Sequence, residues 1–267
     1  MNILVVDTNI IEQKIIEVCS KSKYLTRLYT ASPKPLCHIP NVEYNDYEDL
    51  VKKAKGLQID LILLVNKIHI QNGLVEILNK NKLNVIAVNK KWFNLEQSRL
   101  IAKKLLEYYS FNTPNIIKAP IFFPLVVKSD KPKICKIVYT MQELISVRES
   151  FSGETLFLEE YIEGKCFRFL SLWDGSSLIH FIREAELTEV QVDRLEFLKT
   201  KLNFMFADEK PDFIGFFSTK IIWFMNDWYI LDFVMHLNEK SDIELIKPDF
   251  LYLLNAVIYQ KLSEIEL

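Results

Sequence analysis

The run Ile59-Asp60-Leu61-Ile62-Leu63-Leu64-Val65 is apolar at nearly every position. A half-exposed strand would alternate, so this one must be covered on both faces, as strands of parallel sheets are. Its neighbours have the same character. Ile3–Val6 and Leu25–Tyr29 read as strands before it and Leu83–Val88 as a strand after it. Between them lie a helical stripe from Ile10 to Val18, a helix over 46–55 stopped by Gly56, and a helix carrying Leu74–Leu78. Strict β-α-β-α-β alternation predicts a small parallel sheet with helices on both faces.

The pattern then changes. Lys91–Tyr109 reads as one long helix that leads out of this unit. Strands are expected at 123–128, 136–139, 155–161 and 168–173. Asp174-Gly175 turns the last of these into 177–182. Thr140 and Glu143 form a capping box for a helix over 141–149. A helix over 189–202, a strand pair over 213–224 and 228–235 around Asn226-Asp227, and a closing helix over 248–262 complete the chain. The fold class is therefore α/β. A parallel domain (1–92) and a connecting helix (93–115) precede a mostly antiparallel α+β domain (116–267).

Bulk properties exclude several functions. Lys+Arg (33) and Asp+Glu (35) nearly cancel, so the basic excess that drives general nucleic-acid binding is missing. Lys128, Lys131, Lys133 and Lys136 crowd one turn, a pattern usual for a solvated face. Four cysteines and four histidines are scattered without metal-pair spacing, which argues against a zinc site and for a reducing, cytoplasmic setting. No signal peptide and no membrane span are expected. The dense aromatics of the second half, Phe204 to Trp228, are expected mostly in the core; any left exposed would mark a protein partner.

Candidate chemistry is sparse. The first strand-to-helix turn, Asp7-Thr8-Asn9, has no glycine and an acid where a phosphate would sit, which removes a dinucleotide-binding reading. Lys128 leaves an apolar strand beside a turn, where it can neutralise a phosphate or simply snorkel. Glu159-Glu160-Tyr161-Ile162 ends a strand before Gly164; such a segment can hold a flat purine or be a solvated strand end. Asp232 interrupts an apolar strand. It could hold Mg²⁺, but Val234, on the same face, offers no second oxygen.

The order of these segments is more telling than any one of them. Phe93–Arg99 with Ala102-Lys103, Val126–Asp130, Phe157–Gly164, Phe213–Phe217, Leu231–Val234 and the tail 243–262 resemble, in sequence, the motifs of phosphoribosylamine–glycine ligase, an ATP-grasp ligase. The resemblance implies a pre-ATP-grasp domain followed by a reduced ATP-grasp domain, with the chain stopping where the family's C-terminal domain would begin. It implies nucleotide-binding positions at Arg99, Lys128, Glu159, Glu160, Tyr161 and Ile162, and a metal position at Asp232. ATP and Mg²⁺ are the cofactors it implies. The family's glycine-rich phosphate loop, its glycine-rich lid, the ribose-binding acid and the Asn partner of the metal acid are all replaced. Loss of one transition-state contact typically costs ~10²–10³ in rate. The expectation is therefore a non-catalytic homologue that binds a partner, or binds nucleotide weakly or not at all. The alternative is an active ATP-dependent carboxylate–amine ligase of purine biosynthesis.

Overall fold

A computed structural model describes residues 1–6, 10–34, 38–183 and 186–265, with side chains from residue 13 onward in the first helix. The turn Asp7-Thr8-Asn9 lies outside the described residues. The first 90 residues form the parallel sheet, with strands β1 (Asn2–Val6), β2 (Arg27–Ala31), β3 (Leu61–Leu64) and β4 (Val85–Ile86) in the order β2-β1-β3-β4. Helices α1 (Ile10–Ser20), α2 (Tyr47–Gly56), α3 (Lys67–Gln71) and α4 (Leu74–Lys80) connect them. All four residues of β3 are buried, as its unbroken apolar run requires.

Several boundaries differ from expectation. β4 keeps only two of the six residues expected, because past Ile86 the chain turns to the second sheet: Ala87 donates its N–H to Ile214 O at 2.8 Å. Gly56 is the last helical residue of α2, and the left-handed position after it is taken by Gln58 (φ 51°). The long helix breaks at Ser98 into α5 (Lys90–Gln97) and α6 (Arg99–Tyr108).

The second half contains two antiparallel sheets. β5 (Leu125–Ser129), β6 (Cys135–Val138) and β7 (Leu156–Glu160) form a three-stranded sheet in the order β6-β5-β7, backed by α7 (Met141–Ser150). Thr140 caps α7 by accepting from Glu143 N, while Glu143 reaches one residue further back, to Tyr139 N. β8 (Cys166–Trp173), β9 (Leu178–Phe181), β10 (Gly215–Phe224) and β11 (Asp227–Val234) form a four-stranded sheet, order β11-β10-β8-β9, covered by α8 (Glu189–Glu209). α8 runs seven residues past its expected end and stops at Lys210 in the left-handed region. Met225 and Asn226, both at positive φ, turn β10 into β11, a two-residue hairpin one position before the turn read from sequence. Asp174 holds its turn as expected, with Oδ1 accepting from Ser176 N and Ser177 N. α9 (Lys240–Glu244) and α10 (Phe250–Ile258) close the chain, so the expected closing helix is shorter at both ends.

Three apolar cores follow. One face of the parallel sheet packs under α2 and α4 and continues without interruption beneath α8, through Phe169, Phe206 and Phe217. The other face packs under α1 and α10 and continues through Leu170 and Phe216. The three-stranded sheet has a separate small core of Leu125, Val127, Val138, Leu144, Val147 and Leu158. Gly215 marks the seam between the two larger sheets: a Cβ there would lie 2.8 Å from the Ala87 carbonyl carbon.

Candidate functional site

The three-stranded sheet meets β11 across a cleft, and α6 closes its end. The break at Ser98 is what aims α6. Ser98 adopts extended backbone, caps α6 by accepting from Ile101 N, and donates its hydroxyl to Asp130 Oδ1 at 2.7 Å. Asp130 also accepts from Arg99 N and Leu100 N, each at 3.0 Å. The otherwise unsatisfied N–H groups of the first turn are thus fixed by the loop after β5. Helix and hairpin become one unit.

This unit turns Arg99 into the cleft. Its Nε donates to Asp232 Oδ1 on β11 at 2.9 Å, and Nη1 donates to Ser129 O at 3.1 Å and Ile134 O at 2.7 Å. Lys128, on β5, places Nζ 2.9 Å from Glu159 Oε2, 3.2 Å from Leu231 O and 3.7 Å from Asp232 Oδ2. Lys103, one turn along α6 from Arg99, donates to Glu159 Oε1 at 2.8 Å, to Thr113 Oγ1 at 3.0 Å and to the Pro114 carbonyl. The side chains of Lys103, Lys128 and Glu159 are each 5% exposed.

The result is a continuous ionic chain, Lys103–Glu159–Lys128–Asp232–Arg99. Burial alone would lower the Lys128 pKa; Asp232 and Glu159 outweigh it and hold the ammonium above its ordinary value. The space left among these side chains is about 10 Å³. That is room for one water at most, against several hundred Å³ for an ordinary small-molecule pocket.

A second buried carboxylate fixes the far end of β11. Glu96 of α5 accepts from Met235 N and from His236 Nδ1, both at 2.8 Å, and pairs with Lys67 Nζ at 3.2 Å. Burial pushes its pKa up, but the His236 bond, Met235 N and Lys67 together hold it below the ordinary carboxylate range.

Of the residues singled out in the sequence, Arg99, Lys128, Glu159 and Asp232 come together in one network. Glu160, Tyr161 and Ile162 do not join it. Glu160 Oε1 accepts from Asn115 N and Nδ2 at 2.9 and 3.0 Å, Tyr161 is half-buried, and Ile162 is buried. Lys103, Ser98 and Asp130 were missed as site residues. Lys103 carried a signal, since it follows Arg99 by four residues and must share its helix face. Asp130 carried none, because its role depends on a helix break that no proline or glycine announces.

No protein-family model matches the chain. A phosphoribosylamine–glycine ligase from Fusobacterium nucleatum is 21% identical over 321 aligned residues, covering all of this chain and 75% of the relative. The solved phosphoribosylamine–glycine ligase of Thermotoga maritima superposes with a TM-score of 0.76 at 17% identity, over 98% of this chain and 76% of that one. A D-alanine–D-alanine ligase from Bacillus anthracis, solved with ATP, superposes with a TM-score of 0.63 at 20% identity, over 99% of this chain and 100% of that one. The chain is an ATP-grasp-fold protein. Within that class it is similar along its whole length to phosphoribosylamine–glycine ligase, as the order of its motifs implied.

Proposed function

We propose that this protein is a non-catalytic ATP-grasp homologue of phosphoribosylamine–glycine ligase, acting by binding a partner or by holding a nucleotide weakly. One observation carries the reading: both oxygens of Asp232 face cations, Arg99 at 2.9 Å and Lys128 at 3.7 Å. A metal-binding carboxylate needs a free oxygen and a second oxygen ligand beside it. Among the described residues no cluster of three or more His, Cys, Asp or Glu side chains could hold a metal ion. A divalent ion at Asp232 would sit between two positive groups. The donor set does not fit Mg²⁺.

The same network argues against tight triphosphate binding. Arg99 and Lys128, the cations that would meet phosphates, are already bound to carboxylates, and the cleft between them is filled. Three cations face two carboxylates there, so one positive charge is left over. That surplus supports weak nucleotide binding in preference to none.

Calorimetric titration with ATP and Mg²⁺ tests the reading. The expected result is a Kd weaker than about 1 mM, equivalent to less than about 4 kcal/mol of binding. Micromolar binding that requires Mg²⁺ and disappears in Asp232→Ala would overturn it. The second reading, an active carboxylate–amine ligase, is supported by the survival of Arg99 and Lys128 as cations at the cleft. It requires ATP turnover with phosphoribosylamine and glycine, lost in Asp232→Ala.

We place the protein in the cytoplasm. Cys19, Cys135 and Cys166 are free thiols, two of them exposed, which suits a reducing compartment. Among the described residues no helix is long and apolar enough to cross a membrane.

A further inference from the structure

Helix α8 is apolar on two sides. Leu195, Leu198, Leu202, Met205 and Phe206 are buried against the sheet. Val190, Phe197 and Phe204 are instead 57%, 60% and 65% exposed. They recur every seven residues, so they line up as one nearly straight stripe along the helix. At its C-terminal end the stripe runs into α6, where the Tyr109 ring lies 6.4 Å from Phe204 and Tyr108 stands edge-on to Tyr109 at 5.0 Å. Tyr108 is 76% exposed.

Beside the first two stripe residues the charges are sorted by sign. Glu189 and Glu196 immediately precede Val190 and Phe197 and lie on one flank, with Asn203 in the third place. Arg194 and Lys201 follow them by four residues on the other flank, where Asp208, held by the Tyr109 hydroxyl, takes the third place. We propose that α8 pairs with α8 of a second copy of this chain, parallel and in register, through Val190, Phe197 and Phe204. A twofold axis along the helices lays the acidic flank of each copy against the basic flank of the other. Glu189 then faces Arg194 of the second copy, and Glu196 faces its Lys201, the arrangement that selects partners in parallel coiled coils. Antiparallel pairing centred on Phe197 would instead set Glu196 against Glu196 and Arg194 against Lys201.

The contact is a small one. Within the chain Glu196 already meets Lys199 at 2.7 Å and Lys201 donates to Ser110 O at 2.5 Å, so the new ion pairs compete with existing ones. Asp193 and Thr200 occupy the intervening seam positions, where a zipper would carry leucine. The stripe and Tyr108 offer roughly 400 Å² of apolar side-chain surface per copy. Two such faces bury roughly 800 Å² in all, below the ~1,000 Å² of a stable interface, so the pairing is weak and transient. The pairing surface lies on α8 and α6, and it does not depend on whether the cleft takes a nucleotide.

Sedimentation velocity on the full chain between about 1 and 300 µM, a range suited to a weak, transient contact, tests the proposal. A concentration-dependent rise to the dimer is expected. Phe197→Glu should abolish it while leaving the circular dichroism and melting temperature unchanged, since Phe197 packs against solvent. Arg194→Glu should weaken dimerisation about tenfold, and adding Glu189→Arg should restore it, as expected for a charge pair. With Cys37, Cys135 and Cys166 replaced by serine, Phe204→Cys should oxidise to a disulfide-linked dimer, because in-register pairing sets residue 204 beside its own copy. A monomer at the highest concentration, or dimerisation indifferent to Phe197→Glu, overturns the proposal. So does cross-linking through Phe197→Cys without Phe204→Cys, which would mean antiparallel pairing, and so does capture of a different protein without self-association.

Discussion

Arg99 Nε and Asp232 Oδ1 are 2.9 Å apart although 133 positions separate them in the chain. One residue opens α6, the other interrupts β11, and their ion pair spans the cleft between the two antiparallel sheets. The pair decides what the cleft can hold. It also makes the cleft part of the folded core, with consequences for stability.

Glu159 is the joint of the ionic chain, shared by Lys103 and Lys128. Glu159→Ala would leave the buried Lys103 ammonium without a carboxylate and Lys128 with only Asp232, at 3.7 Å. We expect a loss of about 3–5 kcal/mol, read as a fall in the urea midpoint at unchanged slope. Replacing all three residues with apolar ones of similar size, Lys103→Met, Glu159→Leu and Lys128→Met, should recover most of that loss, because no buried charge then lacks a partner.

Asp130 holds the N-terminus of α6 to the hairpin loop. Asp130→Ala removes the acceptor for Ser98 Oγ and Leu100 N. The expected cost is about 1–2 kcal/mol, the size of a lost helix cap. Amide exchange localises it: protection should fall at Leu100, Ile101 and the loop amides of Lys133 and Ile134, and stay unchanged in β1 and β3.

His180 makes stability depend on pH. Its Nδ1 meets Ser171 Oγ at 2.8 Å and its Nε2 meets Asn203 Oδ1 at 2.9 Å. Burial lowers its pKa from 6.5 to about 4. Between those values the unfolded chain binds a proton that the folded chain refuses, so stability falls as pH drops through this window. Above pH 6.5 the contribution is complete. For a half-buried ring the loss by pH 4 should be about 2–3 kcal/mol. Below the ordinary Glu value of 4.5 the lowered pKa of Glu96 adds a further loss of the same sign. Melting temperatures across pH 4 to 7 should show the slope, and His180→Gln should flatten its upper part.

Gly215→Ala places a methyl group 2.8 Å from the Ala87 carbonyl carbon and 3.0 Å from Val88 N. Both neighbours are backbone and cannot rotate away. We expect a loss of about 1–3 kcal/mol, the usual cost of overpacking, measured by denaturant unfolding. Gly153→Ala, with open space around its Cβ position, is the control and should be near neutral.

Most of the fold could be read from the chain directly. The unbroken apolar run of β3 required burial on both faces, and the alternation around it required a parallel sheet. Asn226-Asp227 and Asp174-Gly175 marked their hairpins within a residue. Of the site, Arg99, Lys128, Glu159 and Asp232 were legible as a set through the order of the motifs. The break at Ser98 was not, because Lys91–Tyr109 contains no proline or glycine, and the hydrogen bonds that hold the break come from Asp130. The shortness of β4 was equally hidden, since it follows from Ala87 pairing with Ile214, 127 positions away.

Periodicity, turn chemistry and motif order are properties of neighbouring residues, and they determined the α/β class, the element types and the likeness to phosphoribosylamine–glycine ligase. Charge pairing is a property of distances between remote residues. Whether Lys128 and Asp232 stand ready for a phosphate and a metal, or neutralise other side chains, was decided when folding brought Arg99 and Glu159 within 4 Å of them and set Lys103 against Glu159. Coulomb energy falls with separation and grows as water is excluded, so only the packed chain fixes it.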